Sequence, residues 1–152
     1  MDGLTFRVAR RADVPVILTL LAQDRLDAGR RVVGEAADAA FWRAFEAIDA
    51  DPRNEQVVAE LDGAVVGTCQ LTFTPSLTRD GSERMTIEGV RVRADTRGAG
   101  IGRAMMAWAL ARARERGCGL AQLTTDKSRT RAHLFYATLG FVASHEGMKL
   151  AL

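Results

Sequence analysis

With 152 residues, 47% of them apolar, the chain fits one compact domain with a core of its own. Charged residues make up 26% and the formal net charge is only +2, which argues against the clustered basic face of a general nucleic-acid binder. No apolar run approaches the ~20 residues of a membrane span, the opening MDGLTFRVARRADV lacks the apolar stretch of a secretory signal, and Cys69 and Cys118 have neither metal-ligand spacing nor a disulfide framework, so a cytoplasmic setting without membrane or metal is expected.

LTFRVAR (residues 4–10) alternates well enough for a strand. Asp13 is placed to cap a helix with Pro15 in its first turn, and Val14, Ile17, Leu18, Leu21 and Leu26 carry that helix to about Asp27. AGRRVVGEAAD reads as a loop. A second helix is predicted from about Glu35 to Asp49, with Phe41, Phe45 and Ile48 on one face, and DPRN breaks it. QVVAELDGAVVGTCQLTFTP reads as a hairpin turning at Asp62–Gly63, and TRDGS as a second turn. ERMTIEGVRVRA is the next strand. Simple alternation puts Ile87 and Gly89 on one face, and Glu88, Val90 and Val92 on the other. A glycine loop then leads into a helix that ends at Gly117. GLAQLTTD reads as a strand, TRAHLFYATLG as a helix closed by Gly140, and FVASHEGMKLAL as a final strand or hairpin. The order predicts a mixed α/β (α+β) domain with a largely antiparallel front half.

The run RGAGIG, Arg97–Gly102, joins a strand to an apolar helix. A helix start offers unpaired N–H groups and the positive end of a dipole, and glycines let an anion approach them. The third glycine of a dinucleotide fingerprint is missing, since that position is Arg103, and the Gly-Lys-Ser/Thr of a P-loop is absent. A pyrophosphate site and a tight turn without ligand remain. Arginine outnumbers lysine 19 to 2, and several arginines lie near this loop.

VRVRADTRGAGIG resembles the acetyl-CoA signature of the GNAT superfamily of N-acetyltransferases. Downstream, RTRAHLFYATLGF, Arg129–Phe141, resembles the family's A-x-x-F-Y-x-x-x-G-F helix. With the element order, the resemblance covers nearly the whole chain. It implies a single GNAT-like domain over residues 1–152, with a central twisted mixed sheet of six to seven strands flanked by four helices. It also implies acetyl-CoA as co-substrate and direct attack of an amine on the thioester. The pyrophosphate would lie on the backbone of Gly98, Ala99, Gly100, Ile101, Gly102 and Arg103, with the guanidinium groups of Arg97 and Arg103 nearby. By the same resemblance the backbone of Val90, Arg91 and Val92 pairs with the pantetheine arm as an added strand would. Arg129, where many members carry Asn, falls on the same arm.

The chemistry asks for two proton carriers. An alkyl amine of pKa near ~10.4 is protonated at neutral pH and must lose a proton, for which Glu88 is the candidate and Asp126 the reserve. The leaving thiolate takes a proton or a hydrogen bond, and Tyr136, the only tyrosine, is the candidate. It sits about 100° from Phe135 at the edge of the stripe Ala132, Phe135 and Leu139. His133 and His145 are isolated, and no third ligand is spaced for a metal. Met105, Met106 and Trp108 read as core. An enzyme and a non-catalytic acyl-CoA-binding or regulatory module both need the glycine loop; only the enzyme needs Tyr136 and a base. The acceptor, a small-molecule or peptide amine, should be chosen by DRLDAGRRVVGEAADAAFWRAF, where Asp24, Asp27 and Glu35 could attract a cation. Gly89 fits a bulge or a close backbone approach. The apolar end of FVASHEGMKLAL, beside an open sheet edge, predicts a homodimer.

Overall fold

The computed structural model describes residues 3–23 and 39–152. Nine regular elements follow in chain order: β1 Leu4–Val8, α1 Val14–Ala22, α2 Ala39–Ala50, β2 Asn54–Leu61, β3 Ala64–Thr74, β4 Arg84–Val92, α3 Ile101–Glu115, β5 Leu120–Leu123 and α4 Thr130–Ala137. The strands lie side by side in sequence order, antiparallel except for the parallel pair β4–β5. The mixed α/β class and the four helices are as expected. Leu26, the predicted ends of the first two helices near Asp27 and Glu35, and Asp24 lie outside the described residues.

Hydrophobic alternation decides which helix covers which face. Val57, Leu71, Phe73, Met85 and Ile87 point to α3 and meet Ile101, Met105, Met106 and Ala109 in the main core. Val58 points the other way, into a smaller core with Val14 and Ile17 of α1 and Phe45 of α2. Trp108 lies at the rim of the main core, its ring 6.1 Å from that of Phe6. Leu61 pairs with Ala64, so Asp62–Gly63 forms the expected two-residue turn. Both α3 and α4 end in the same hydrogen-bonded motif: the amides of Cys118 and Phe141 reach back to the carbonyls of Ala113 and Tyr136.

Two expectations are corrected. The sheet has five strands among the described residues, not six or seven, because FVASHEGMKLAL forms no ladder after Phe141. Period-2 alternation makes a strand only where an edge receives it, and Val142, Met148, Leu150 and Leu152 of this segment are all more than 80% exposed. Asp13 precedes α1 but does not cap it. Its carboxylate takes a bidentate pair from the Arg7 guanidinium at 2.7 and 3.0 Å and the Arg10 amide at 2.7 Å. Charge-assisted bonds outcompete a neutral cap.

The Arg7 contact holds the Asp13 carboxyl below the usual carboxylate range. Its stabilisation is therefore present above the ordinary carboxylate pKa and is lost as pH falls through the depressed one. Asp13→Asn should cost on the order of 2 kcal/mol at neutral pH, between exposed and fully buried ion pairs. Melting curves of both proteins should converge below about pH 4; a constant gap down to pH 2 would refute the linkage.

Candidate functional site

The parallel pairing of β4 with β5 runs from Arg84–Leu120 to Ile87–Leu123 and stops. Beyond it β4 continues alone on that side through Val92, leaving a strand edge open. The cause lies at Gly89. Its φ of +59° belongs to the left-handed region, and the register with β3 slips there: Gln70 faces Glu88, but Thr68 faces Arg91. One extra residue on β4 makes a bulge, which glycine accommodates.

The bulge also inverts the alternation. Met85 and Ile87 belong to the α3 face, and after the extra residue Val90 and Val92 pack against that same core. Glu88 faces Gln70 on the opposite, α1 side, where a side chain at Gly89 would meet Leu21 at 3.7 Å. Glu88 therefore does not share a face with Val90 and Val92. Simple alternation fails because it counts residues and a bulge does not. Glu88 is exposed.

After β4 a short turn, Ala94–Thr96, leads into the glycine loop. The Arg97 guanidinium donates to the Val92 carbonyl at 3.1 Å, tying the loop to the open strand. Gly98 and Gly100 have φ of +86° and +82°, and a Cβ on either would have no atom within 4 Å. The space over both is open. The first helical bond of α3 runs from the Ala104 amide to the Gly100 carbonyl, so the amides of Ile101, Gly102 and Arg103 precede the ladder. At Gly102 a Cβ would lie 3.6 Å from the Phe135 ring and 3.7 Å from Val92. The start of α3, the end of β4 and α4 thus converge. The Arg103 guanidinium donates to the Thr138 hydroxyl at 2.8 Å, pinning the loop to the end of α4.

Tyr136 lies on α4, half-buried against the main core, with ring centroids of Phe135 at 5.2 Å and Phe141 at 6.0 Å. Burial pushes its hydroxyl pKa up, and the charges of Arg129 and Arg91 pull the other way. The phenol is held neutral, as a proton donor must be. Those two arginines, from the α4 cap position and from β4, fall within its electrostatic reach. The Arg91 guanidinium also donates to the Val90 carbonyl at 2.9 Å. The structure therefore gathers Val90–Val92, the loop 97–103, Arg129 and Tyr136 at one end of the sheet, with Glu88 on the other side of the same strand.

Asp126 has other work. Its carboxylate accepts from the Ser128 hydroxyl at 2.6 Å and the Ser128 amide at 2.8 Å, which holds its pKa low, and its carbonyl meets the His133 ring at 2.9 Å. These bonds shape the turn into α4. Burial drives the Cys69 thiol pKa up to about 12, so it is no nucleophile. Thr125, just past β5, carries a buried hydroxyl with no hydrogen-bond partner. The sequence reading passed it over, and the only signal was its place directly after a short strand. Among the described residues no three His, Cys, Asp or Glu side chains cluster to hold a metal, and no helix is long and apolar enough to cross a membrane.

Known proteins share this arrangement. The glucosamine 6-phosphate N-acetyltransferase of Trypanosoma brucei brucei is 36% identical over 90 residues, which span 59% of this chain and 59% of that relative. The aminoalkylphosphonate N-acetyltransferase of Salmonella typhimurium is 34% identical over 106 residues, covering 70% of this chain and 68% of the relative. The crystal structure of a transcriptional regulator from Bacillus halodurans C-125 is 46% identical and superposes with a TM-score of 0.94 over 98% of this chain and 99% of its own. The model of the acetyltransferase (GNAT) family matches residues 20–141, and the chain belongs to that family.

Proposed function

We propose that the chain is an acetyl-CoA-dependent N-acetyltransferase that acetylates a primary amine by direct attack. One observation carries the reading: an open strand edge, Glu88–Val92, ends beside the free amides of a helix start, with a neutral tyrosine at the junction. The residues present fit the group. The open space over Gly98 and Gly100 suits a pyrophosphate on the amides of residues 101–103, and the β4 edge suits the amides of a pantetheine arm. The orphan Thr125 hydroxyl is a further polar contact on offer.

Acetyl-CoA, when bound, supplies an activated acetyl thioester. The chain supplies position and protons. The β4 edge holds the arm in line, and Tyr136 Oη holds a proton for the departing sulfur. Glu88, on the far side of the bulged strand, accepts the proton of the acceptor ammonium, directly or through water. A cytoplasmic setting, where Cys69 and Cys118 stay reduced, belongs to the same proposal.

The acceptor is a small-molecule or peptide amine. Because two relatives are named for glucosamine 6-phosphate and an aminoalkylphosphonate, these compounds lead the panel, followed by polyamines, amino acids, aminoglycosides and peptides. Thiol release from acetyl-CoA with at least one of them is the expected result. With the best acceptor, Glu88→Gln should depress the rate by ~10²-fold at low pH and less at high pH, where the amine sheds its own proton. A profile that overlays the wild type would move the base to Asp126 or to water.

A second reading has one observation of its own: the similar protein from Bacillus halodurans is named a transcriptional regulator. A module that binds acyl-CoA and signals would keep the glycine loop and need neither proton carrier. Tight CoA binding with no acceptor in the whole panel would favour it.

A further inference from the structure

We propose that residues 148–152 leave their own subunit and add a strand to the open β5 edge of a second copy of this chain, which returns the same segment. The main core is half-covered along one rim, by Ala121 and Leu123 of β5 together with Leu139 and Phe141. β5 pairs on one side only, with β4, so its other edge is unfilled among the described residues. Nothing in its own chain supplies the missing strand.

The segment after Phe141 has the complementary defect. Up to Gly147 it runs beside its own β5–α4 loop: Glu146 pairs with Lys127 at 2.7 Å, and a Cβ on Gly147 would lie 3.8 Å from Thr124. Past Gly147 that contact ends. Met148, Leu150 and Leu152 then alternate with Lys149 and Ala151, and the three large side chains are 95%, 85% and 116% exposed. Three apolar groups at period 2 form the inner face of a strand that has no sheet.

One chain thus holds both halves of a strand pairing and joins neither to the other. A two-fold axis joins them twice, because an isologous interface lets each copy give and receive. The exchange fills both β5 edges and closes the assembly at two subunits, where head-to-tail addition would continue without limit. The incoming strand would lie about 4.8 Å from β5, with Met148, Leu150 and Leu152 over the half-covered rim of the core. Phe141, which opens the segment, packs on Tyr136, so the anchored segment would also steady the helix that carries it.

Light scattering on the full chain at micromolar concentration should give twice the subunit mass. Met148→Lys with Leu150→Lys should give one subunit mass with the circular dichroism of the wild type retained, since both side chains are exposed within their own subunit. To test the exchange itself, Ala121→Cys and, in separate chains, Cys at 148, 150 or 152 are mixed in a Cys118→Ser background and oxidised. Neighbouring strands meet disulfide geometry, so a disulfide-linked dimer of the two different chains should form at one of the three positions. A monomeric wild type, a dimer that survives the double substitution, or a dimer without that mixed disulfide would each overturn the proposal.

Discussion

Replacing Tyr136 by phenylalanine is expected to lower kcat by about 10²-fold or more and to leave CoA affinity nearly unchanged. The substitution removes one oxygen and keeps the ring between Phe135 and Phe141, so the packing of α4 is spared. The size follows from the leaving group. A thiol has a pKa of about 8.5 and an ordinary phenol about 10, so donation is mildly uphill, and a short hydrogen bond to developing negative charge carries much of the effect. Burial raises the phenol further, while Arg129 and Arg91 oppose that rise and would stabilise any phenolate left behind. Since the phenol is pushed above its ordinary pKa, it stays protonated through the neutral range, and the wild-type rate should show no loss from tyrosine ionisation below about pH 9. The split is measured by steady-state kinetics with the best acceptor, alongside calorimetry with CoA. A wild-type kcat in Tyr136→Phe would remove the acid from the mechanism. A matched loss of CoA affinity would make the hydroxyl a binding contact only.

Local chemistry was legible in the sequence, and anything that needed a count across strands was not. Asp62–Gly63 between two apolar runs dictates its turn, and Gly117 and Gly140 stop their helices where the hydrogen bonds place them. RGAGIG announced a helix start with an open approach, and the space over Gly98 and Gly100 bears that out. Gly89 was readable as a bulge, yet its consequence was not drawn: one inserted residue carries Val90 and Val92 to the α3 face and parts them from Glu88. The end of the chain fails for another reason. MKLAL has the pattern of a strand, but a strand is a property of two partners, and pattern alone does not name the second. Asp13 has the residue type and position of a cap, yet Arg7, six residues earlier and brought close by the turn at Arg11–Asp13, takes its carboxylate instead. A partner set by folding outranks a preference set by neighbours.

Gly100→Val is expected to abolish the thermal stabilisation that acetyl-CoA gives the wild type. A ligand at 100 times its dissociation constant stabilises by about 2.7 kcal/mol, which for a domain of this size raises the melting temperature by roughly 5–10 °C. At φ +82° a β-branched residue is strained whatever the space around it, by on the order of 1–3 kcal/mol. Relief of that strain would turn the loop and swing the amides of Ile101, Gly102 and Arg103 away from a common point. If the loop resists, the valine methyls stand in the open space where the pyrophosphate would lie. Either outcome loses the ligand, but strain alone also lowers the melting temperature, so a matched control is needed. Gly117 supplies one: it ends the same helix with φ +73°, has no atom within 4 Å of a Cβ, and lies at the far end of α3 from the loop. Gly117→Val should lose similar intrinsic stability and keep the full shift with acetyl-CoA. NADH and ATP should shift the wild type far less than acetyl-CoA does. Equal ligand shifts in the Gly100 and Gly117 variants would show that the glycine loop is a turn and the anion site lies elsewhere.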